Sequence, residues 1–207
     1  MRTDEGQAFP VYIAVVAGLL FLAFAYFAVG QAASTRNSAQ TAADAAALAA
    51  AQDAREQLRE EWLGVILDPD QWDGFLEGET TYVDPSACDS AADFASRNGA
   101  ELVEPGCELL SSEDSGFRVT VRTTGGEANP AKASAEAVIE PHCTFKKQEP
   151  SSEPPTAPPS PPPSGEPEEE EPGPIRGLTC AGKPWDIDPE DPKLPDATEL
   201  FTVRLSD

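Results

Sequence analysis

The sequence predicts an α+β fold: an N-terminal transmembrane helix continues into a long alanine-rich helix, and a small disulfide-stapled domain follows. That domain is expected to pack a helix on an antiparallel hairpin or sheet and to be interrupted by a disordered Pro/Glu-rich linker. Three observations predict this arrangement: an uncharged apolar run over residues 9–29, an unbroken helical pattern behind it, and strand-like alternation that begins only after residue 100.

The apolar run FPVYIAVVAGLLFLAFAYFAV, residues 9–29, is predicted to cross a membrane. As an α-helix it spans about 30 Å, the thickness of a bilayer hydrocarbon core. Tyr12 and Tyr26 lie near its two ends, where interfacial aromatic residues are common. A cleaved secretory signal is the alternative, supported by Arg2 and the small residues of 28–33. Since signal cores are only about 7 to 15 residues long, we expect a retained, single-pass anchor.

Charge and cysteine content indicate the compartment. The formal net charge of −23 disfavours nucleic acid as a partner, because phosphate binding needs a basic surface. Cys88, Cys107, Cys143 and Cys180 form an even set without the close pairs of a zinc site, so disulfides are favoured over metal. Disulfides form outside the reducing cytoplasm. We therefore expect a cell-membrane protein with a cytoplasmic N-terminus and an extracytoplasmic C-terminal domain.

The helical pattern continues beyond the apolar run, since no proline and no further glycine interrupts it between Gly30 and Gly64. At 100° per residue, six alanines share one narrow face of this helix. We call these six residues the alanine seam: Ala32, Ala39, Ala43, Ala46, Ala50 and Ala54. Small side chains let another helix approach closely, so the seam is predicted to be a helix-packing surface.

The next part of the chain has the pattern of a compact domain. Residues 116–123 and 132–140, GFRVTVRT and KASAEAVIE, alternate between apolar and polar side chains as strands of a hairpin do. A helix bearing Phe94 is expected to cover the apolar face of this hairpin. Acidic residues near Asp68 do not match a calcium loop, because Trp72 stands where a third ligand is needed. No metal site is expected.

Four cysteines allow three disulfide connectivities, and proximity in the sequence favours Cys88–Cys107 with Cys143–Cys180. The first bridge would pin the helix to the sheet, and the second would tether both ends of the linker. The apolar alternation of residues 200–205, LFTVRL, predicts a strand that returns to the edge of the hairpin sheet. The predicted organisation is therefore a tail (1–8), a transmembrane helix (9–29), an alanine-rich helix (30–63), an ectodomain (64–145), a linker (146–174) and a C-terminal segment (175–207).

No catalytic constellation is recognisable in the sequence. The lone His142 has no identifiable nucleophile partner, and Gly125–Gly126 lacks the surrounding pattern of a phosphate-binding loop. The sequence therefore predicts a protein that is not an enzyme, with no cofactor and no small-molecule substrate.

The N-terminal quarter of the chain resembles a known family. A short tail ending in Gly6-Gln7 precedes one membrane helix, and the motif Q-x-A-A-D-A-A-A-L-A-A-A closes the segment from Gln40 to Ala51. In these features residues 6–51 are similar to TadE/TadG-like proteins of Flp (tight adherence) pilus assembly, especially those of actinobacteria.

This resemblance implies a pseudopilin-like structural component of a Flp/Tad-type pilus or secretion system, whose alanine helix packs against other membrane proteins of that system. The glutamate that processed pseudopilins carry five residues after the cleaved glycine is Val11 in this chain, which favours stable anchoring over processing. The alternative function is an envelope-anchored binding module. In that hypothesis the alanine helix is a stalk, and the ectodomain captures a cell-wall polymer or a partner protein.

Overall fold

The computed structural model describes residues 8–79, 86–110, 115–125, 130–147 and 173–206. Its helices are α1 (Ala8–Gly64), α2 (Asp73–Leu76), α3 (Ser86–Arg97) and α4 (Ala197–Leu200), with a 3-10 turn at Pro69–Gln71. Its strands are β1 (Ala100–Leu109), β2 (Gly116–Thr123), β3 (Lys132–Pro141), β4 (Cys143–Phe145), β5 (Ile175–Cys180), β6 (Lys183–Ile187) and β7 (Phe201–Leu205). The α+β fold class and the long N-terminal helix are as predicted.

Helix α1 is the axis of the molecule. It runs for 57 residues without interruption, which corresponds to a rod of about 85 Å at 1.5 Å per residue. Its C-terminal part packs against α3, β2, β3 and β7, whereas its N-terminal part contacts no other described element. The same helix is therefore both an extended rod and the central core element of the domain.

A four-stranded antiparallel sheet, in the order β1-β2-β3-β7, lies against α1. The register pairs Phe117 with Ala137 and Val119 with Ala135, and these four side chains are buried on the face towards α1. Strand β7 pairs with β3 on the far edge of the hairpin. The C-terminal strand thus returns to the hairpin sheet, as the alternation of LFTVRL predicted.

A second sheet, in the order β4-β5-β6, was not predicted from the sequence. Its strands β4 and β5 are antiparallel neighbours that flank the predicted linker, of which residues 148–172 lie outside the described residues. Gly177 makes the close approach of β5 to β4 possible: its φ is +107°, and a Cβ there would lie 2.1 Å from the Lys146 carbonyl oxygen. Both ends of the predicted linker therefore adjoin strands of one small sheet.

The helix that covers the hairpin is not the one predicted. Helix α1 covers β2 and β3, while α3 packs on α1 and on β1. Phe94 is 40 % exposed, and α3 buries Ala87, Ala91 and Ala95 instead. The prediction was wrong on this point because helical periodicity identifies the buried side of a helix but not the element that covers it.

The domain core changes in character along α1. Near its middle, the fully buried residues of α1 are all alanine, with the partly buried Leu48 packed beside them, whereas its last turns contribute Leu58 and Trp62. Trp62 packs against Trp72 and Phe75, with ring centroids 5.9 and 5.8 Å apart, and against Phe201 at 6.3 Å. The large aromatic residues therefore fill the end of the domain that is farthest from the N-terminal part of α1.

Candidate assembly surface on helix α1

The N-terminal part of α1, which we call the apolar segment (Phe9–Val29), leaves its large side chains uncovered. Ile13 is 50 % exposed and Tyr26 is 85 % exposed, and the other large apolar residues of the segment outside Val16 lie between these values. Burial of one such side chain is worth about 1.5–3 kcal/mol, so covering this surface with lipid or partner side chains is strongly favourable. By length and composition, α1 includes one candidate membrane span.

A short polar stretch of α1, the neck (Gly30–Ser38), separates the apolar segment from the domain. Its residues are exposed apart from the partly buried Thr35. The hydroxyls of Thr35 and Ser38 donate to the carbonyl oxygens of Gln31 and Ser34, at 3.2 and 3.0 Å. These bonds satisfy the hydroxyls within the helix itself, so the helix passes through the neck without a break.

The structure places the alanine seam in two different environments. Ala32 lies in the exposed neck, whereas Ala39, Ala43, Ala46, Ala50 and Ala54 are completely buried. The buried surface is wider than the seam, since Ala42, Ala47 and Ala51 are also fully buried. The consecutive alanines of Gln40–Ala51 were the sequence signal for this width. From Ala39 onwards, therefore, α3 and the sheet of the same chain occupy the seam.

Alanine packs on alanine where α1 meets α3, because the buried face of α3 consists of Ala87, Ala91 and Ala95. Side chains that end at Cβ allow the two helix backbones to approach closely. Asp53 lies beside this contact, where it accepts hydrogen bonds from Ser90 and, at 2.8 Å, from Gln57. The polar bonds along the margin fix the position of α3 on α1.

On the other side of α1, Gln40 links the helix to the sheet. Its Nε2 donates to Asp44 Oδ1 at 2.7 Å and to the Ser134 carbonyl oxygen at 3.5 Å. Ser134 lies near the beginning of β3, so this end of the sheet is held beside the beginning of the buried part of α1. The domain is therefore attached to α1 from Ala39 onwards on both flanks.

Two disulfides reinforce these layers, and both have the connectivity that proximity favoured. Cys88–Cys107 joins α3 to β1 with the Cα atoms 5.7 Å apart. Cys143–Cys180 joins the paired strands β4 and β5 with the Cα atoms 4.1 Å apart. The first bridge connects two elements that surround α1, and the second closes the small sheet at the base of the linker.

Ion pairs lie mainly on the outer surface of the domain. Arg204 Nε donates to Glu140 Oε1 at 2.7 Å, and this hydrogen bond lowers the pKa of Glu140. The hydrogen bond between Lys147 and Asp70, at 2.8 Å, raises the pKa of Lys147. His142 is exposed, with its Nδ1 3.4 Å from the Thr202 hydroxyl. Within the described ranges, no group of three or more His, Cys, Asp or Glu residues could hold a metal ion.

These features define a class of protein with one uncovered apolar helix segment, whose continuation is the core of a disulfide-linked α+β domain. The family model described as putative Flp pilus-assembly TadE/G-like matches residues 6–53. The N-terminal quarter of the chain is therefore a TadE/G-like segment, which confirms the resemblance found in the sequence. Searches of the curated proteins and of the solved structures gave no match.

The family match has clear structural limits. It covers the apolar segment, the neck and the alanine-rich part of α1, and it ends at Asp53, before Leu58 and Trp62 begin the aromatic end of the core. The match and the uncovered apolar helix together fit a membrane-anchored Tad pilus component.

Proposed function

We propose that this protein is a pseudopilin-like structural component of a Flp/Tad-type pilus or secretion system. It is anchored by a single membrane pass and acts through helix–helix packing. The observation that carries this proposal is the coincidence of the TadE/G-like match, residues 6–53, with the part of α1 that includes the whole uncovered apolar segment.

The surface available for partner helices is the apolar segment together with the neck. Five residues of the alanine seam are covered by the chain's own domain, so only Ala32 of the six is free for an intermolecular contact. Helix–helix packing inside a membrane depends on close van der Waals fit and on small residues. The apolar segment supplies Gly18 and several alanines among its large side chains. We therefore assign partner contacts to residues 9–38.

The two disulfides support a C-terminal domain outside the cytoplasm, because structural disulfides persist in oxidising compartments. With a single membrane pass, the N-terminus then lies in the cytoplasm. Reporter fusions test this orientation: alkaline phosphatase fused after residue 206 should be active, and a fluorescent protein that matures only in the cytoplasm should stay dark at the same position.

Photo-crosslinking in a host that assembles the pilus tests the assembly role. A photoreactive amino acid replaces Leu20 in the apolar segment or Ala32 in the neck, and the exposed Lys183, at the end of the domain farthest from the neck, serves as the matched position. We expect the first two positions to capture other membrane proteins of the pilus system. Capture of wall polymer or another protein from Lys183 alone would instead favour the envelope-anchored binding module.

A further inference from the structure

One end of the sheet lies beside the neck. Gln40 on α1 contacts Ser134 near the beginning of β3, while at the other end Trp62 contacts Phe201, which pairs with Pro141 at the end of β3. Strand β3 therefore runs in the same direction as α1. Its first residues are the part of the strand nearest to the apolar segment.

The height of this end above the apolar segment follows from the helix rise. Gln40 lies about 16 Å beyond Val29 along the helix axis. Lys132 precedes Ser134 by two residues and so lies up to about 7 Å closer to the apolar segment. If the apolar segment fills the hydrocarbon core, the headgroup layer occupies about the next 5–8 Å. The long side chains of lysine and arginine can bridge the remaining gap, since their charged ends extend towards an interface.

Three cations lie towards this end of the domain, and we call Arg36, Arg122 and Lys132 the basic rim. Arg36 lies on α1, whereas Arg122 and Lys132 lie on the sheet face that points away from α1. Arg122 and Lys132 are direct cross-strand partners, although like charges in opposite positions destabilise a sheet. Arg36 lies on the neck, one helical turn before Gln40, on the side of Gln40 that faces the sheet. The basic rim shares this end of the sheet with Glu101, which pairs with Arg122, and with Glu104, whose carbonyl oxygen accepts from Lys132.

Two of the three cations of the basic rim, Arg36 and Lys132, are not paired with a carboxylate among the described residues. Arg122 pairs with Glu101 at 2.8 Å, but Lys132 donates only to the Glu104 carbonyl oxygen, at 2.8 Å. Among the described residues, Arg36, Arg59, Lys132 and Lys146 have no carboxylate within ion-pair distance. Nine other basic residues of the domain have one, as the following pairs show: Arg55–Glu56, Arg97–Asp93, Arg118–Glu136, Arg122–Glu101, Lys147–Asp70, Arg176–Asp186, Lys183–Glu199, Lys193–Asp191 and Arg204–Glu140.

We infer that the basic rim binds the anionic headgroups of the bilayer that holds the apolar segment. Basic side chains next to a membrane surface are attracted to anionic lipids, and a phosphate layer would neutralise Arg36 and Lys132, which have no carboxylate partner among the described residues. The basic rim would then keep the domain in contact with the lipid surface. The attachment of the domain to α1 would set its distance from the bilayer. This inference requires membrane anchoring, but neither the pilus role nor the orientation of the termini.

Fluorescence quenching in nanodiscs tests the inference on the full chain. The four native cysteines are disulfide-bonded, so a Thr124→Cys substitution on the exposed residue beyond β2 provides a single labelling site. The discs contain phosphatidylcholine alone or an equimolar mixture with phosphatidylglycerol, plus a lipid that carries a spin label on its headgroup. We expect stronger quenching in the anionic discs and a loss of that difference at high salt.

Charge variants identify the residues responsible. Arg36→Gln and Lys132→Gln should each lower the equilibrium constant between the lipid-contacting and lipid-free states of the domain roughly fivefold. This is the effect expected for one basic residue near an anionic surface. Lys132→Arg should preserve it. The matched control combines Lys183→Gln with Lys193→Gln at the opposite end of the domain, and it should leave the quenching unchanged.

Several results would overturn the inference. Equal quenching in the two kinds of disc would show that anionic lipid is not recognised, and an equal effect of the Lys183 and Lys193 changes would show that only net charge matters. Thermal unfolding of each variant shows whether the domain remains folded. If Lys132→Gln unfolds the domain, the quenching measured with Arg36→Gln tests the inference instead. A chain that does not enter the discs would refute membrane anchoring itself, a failure distinct from the first two.

Discussion

The apolar segment and the buried part of α1 belong to one unbroken helix, yet their side chains meet opposite surroundings. From Phe9 to Val29 most residues are large and uncovered, whereas from Ala39 to Ala54 most residues are alanines that the chain itself buries. Large apolar side chains gain most from a lipid or partner environment, while alanine gains little area and favours close backbone contact. Side-chain size therefore determines which part of α1 the domain can pack against closely.

The comparison also explains how the domain and the anchor are coupled. No loop separates them, because the neck continues as α-helix from Gly30 to Ser38. Gln40 and Asp53, on the two flanks, fix the sheet and α3 to the same rod. A rotation or tilt of the apolar segment must therefore be transmitted to the domain, which a flexible tether would not do.

Enlarging buried alanines should have the largest effect on the domain. Ala46→Leu with Ala50→Leu inserts two isobutyl groups where both residues are 0 % exposed. Overpacking costs about 1–3 kcal/mol per site, so we expect a loss of about 2–6 kcal/mol in the free energy of unfolding. Urea unfolding in detergent, followed by tryptophan fluorescence, measures this change because all three tryptophans lie in the domain.

The same substitution in the exposed part of the helix is the matched control. Ala25→Leu with Ala28→Leu enlarges residues that no described element covers, so the domain should unfold at the same urea concentration as the parent chain. If both double variants destabilise the domain equally, residue size does not distinguish the two parts of α1, and the comparison fails.

The sequence predicted these elements unequally well, and the reasons are physical. The alternation in β2 and β3 identified their buried face, and the alanine content of α1 identified a packing surface. The partner of that surface remained open, because alanine is compatible with contact to a foreign helix, to α3 or to a sheet. The three residues of β4, Cys143–Phe145, were too few to show a period, so the second sheet was missed.

Removal of the disulfides should have the next largest effect, confined to the domain. Cys88→Ala with Cys107→Ala opens a bridge of sequence separation 19, and Cys143→Ala with Cys180→Ala opens one of 37. The chain-entropy model gives losses of about 3 and 4 kcal/mol, because the longer loop gains more freedom in the unfolded chain. Urea unfolding of each pair variant measures the two losses.

The apolar segment provides the contrast for the disulfide variants. It carries no cysteine and makes no contact with α3 or β4, so its helical circular dichroism in detergent should survive conditions that unfold the domain. A simultaneous loss of all helical signal would show that the apolar segment depends on the domain, against the independence that its exposure indicates.

The smallest expected effect lies on the outer face of the sheet, where Arg204 and Glu140 are paired in solvent. The hydrogen bond from Arg204 lowers the pKa of Glu140, so the pair contributes stability above the pKa of the unfolded chain and loses it as pH falls through the folded value. Arg204→Gln should raise the pKa of Glu140, measured by the side-chain carboxyl ¹³C shift in a pH titration. Arg118→Gln, which removes a neighbouring ion pair with Glu136, should leave that pKa unchanged.

Since an exposed pair is screened by salt, the stability contributed by the Arg204–Glu140 pair should also shrink with ionic strength, whereas the packing of the buried alanines should not. An equal response of the Glu140 pKa to both arginine changes would mean that the general field of the sheet, and not this hydrogen bond, sets it.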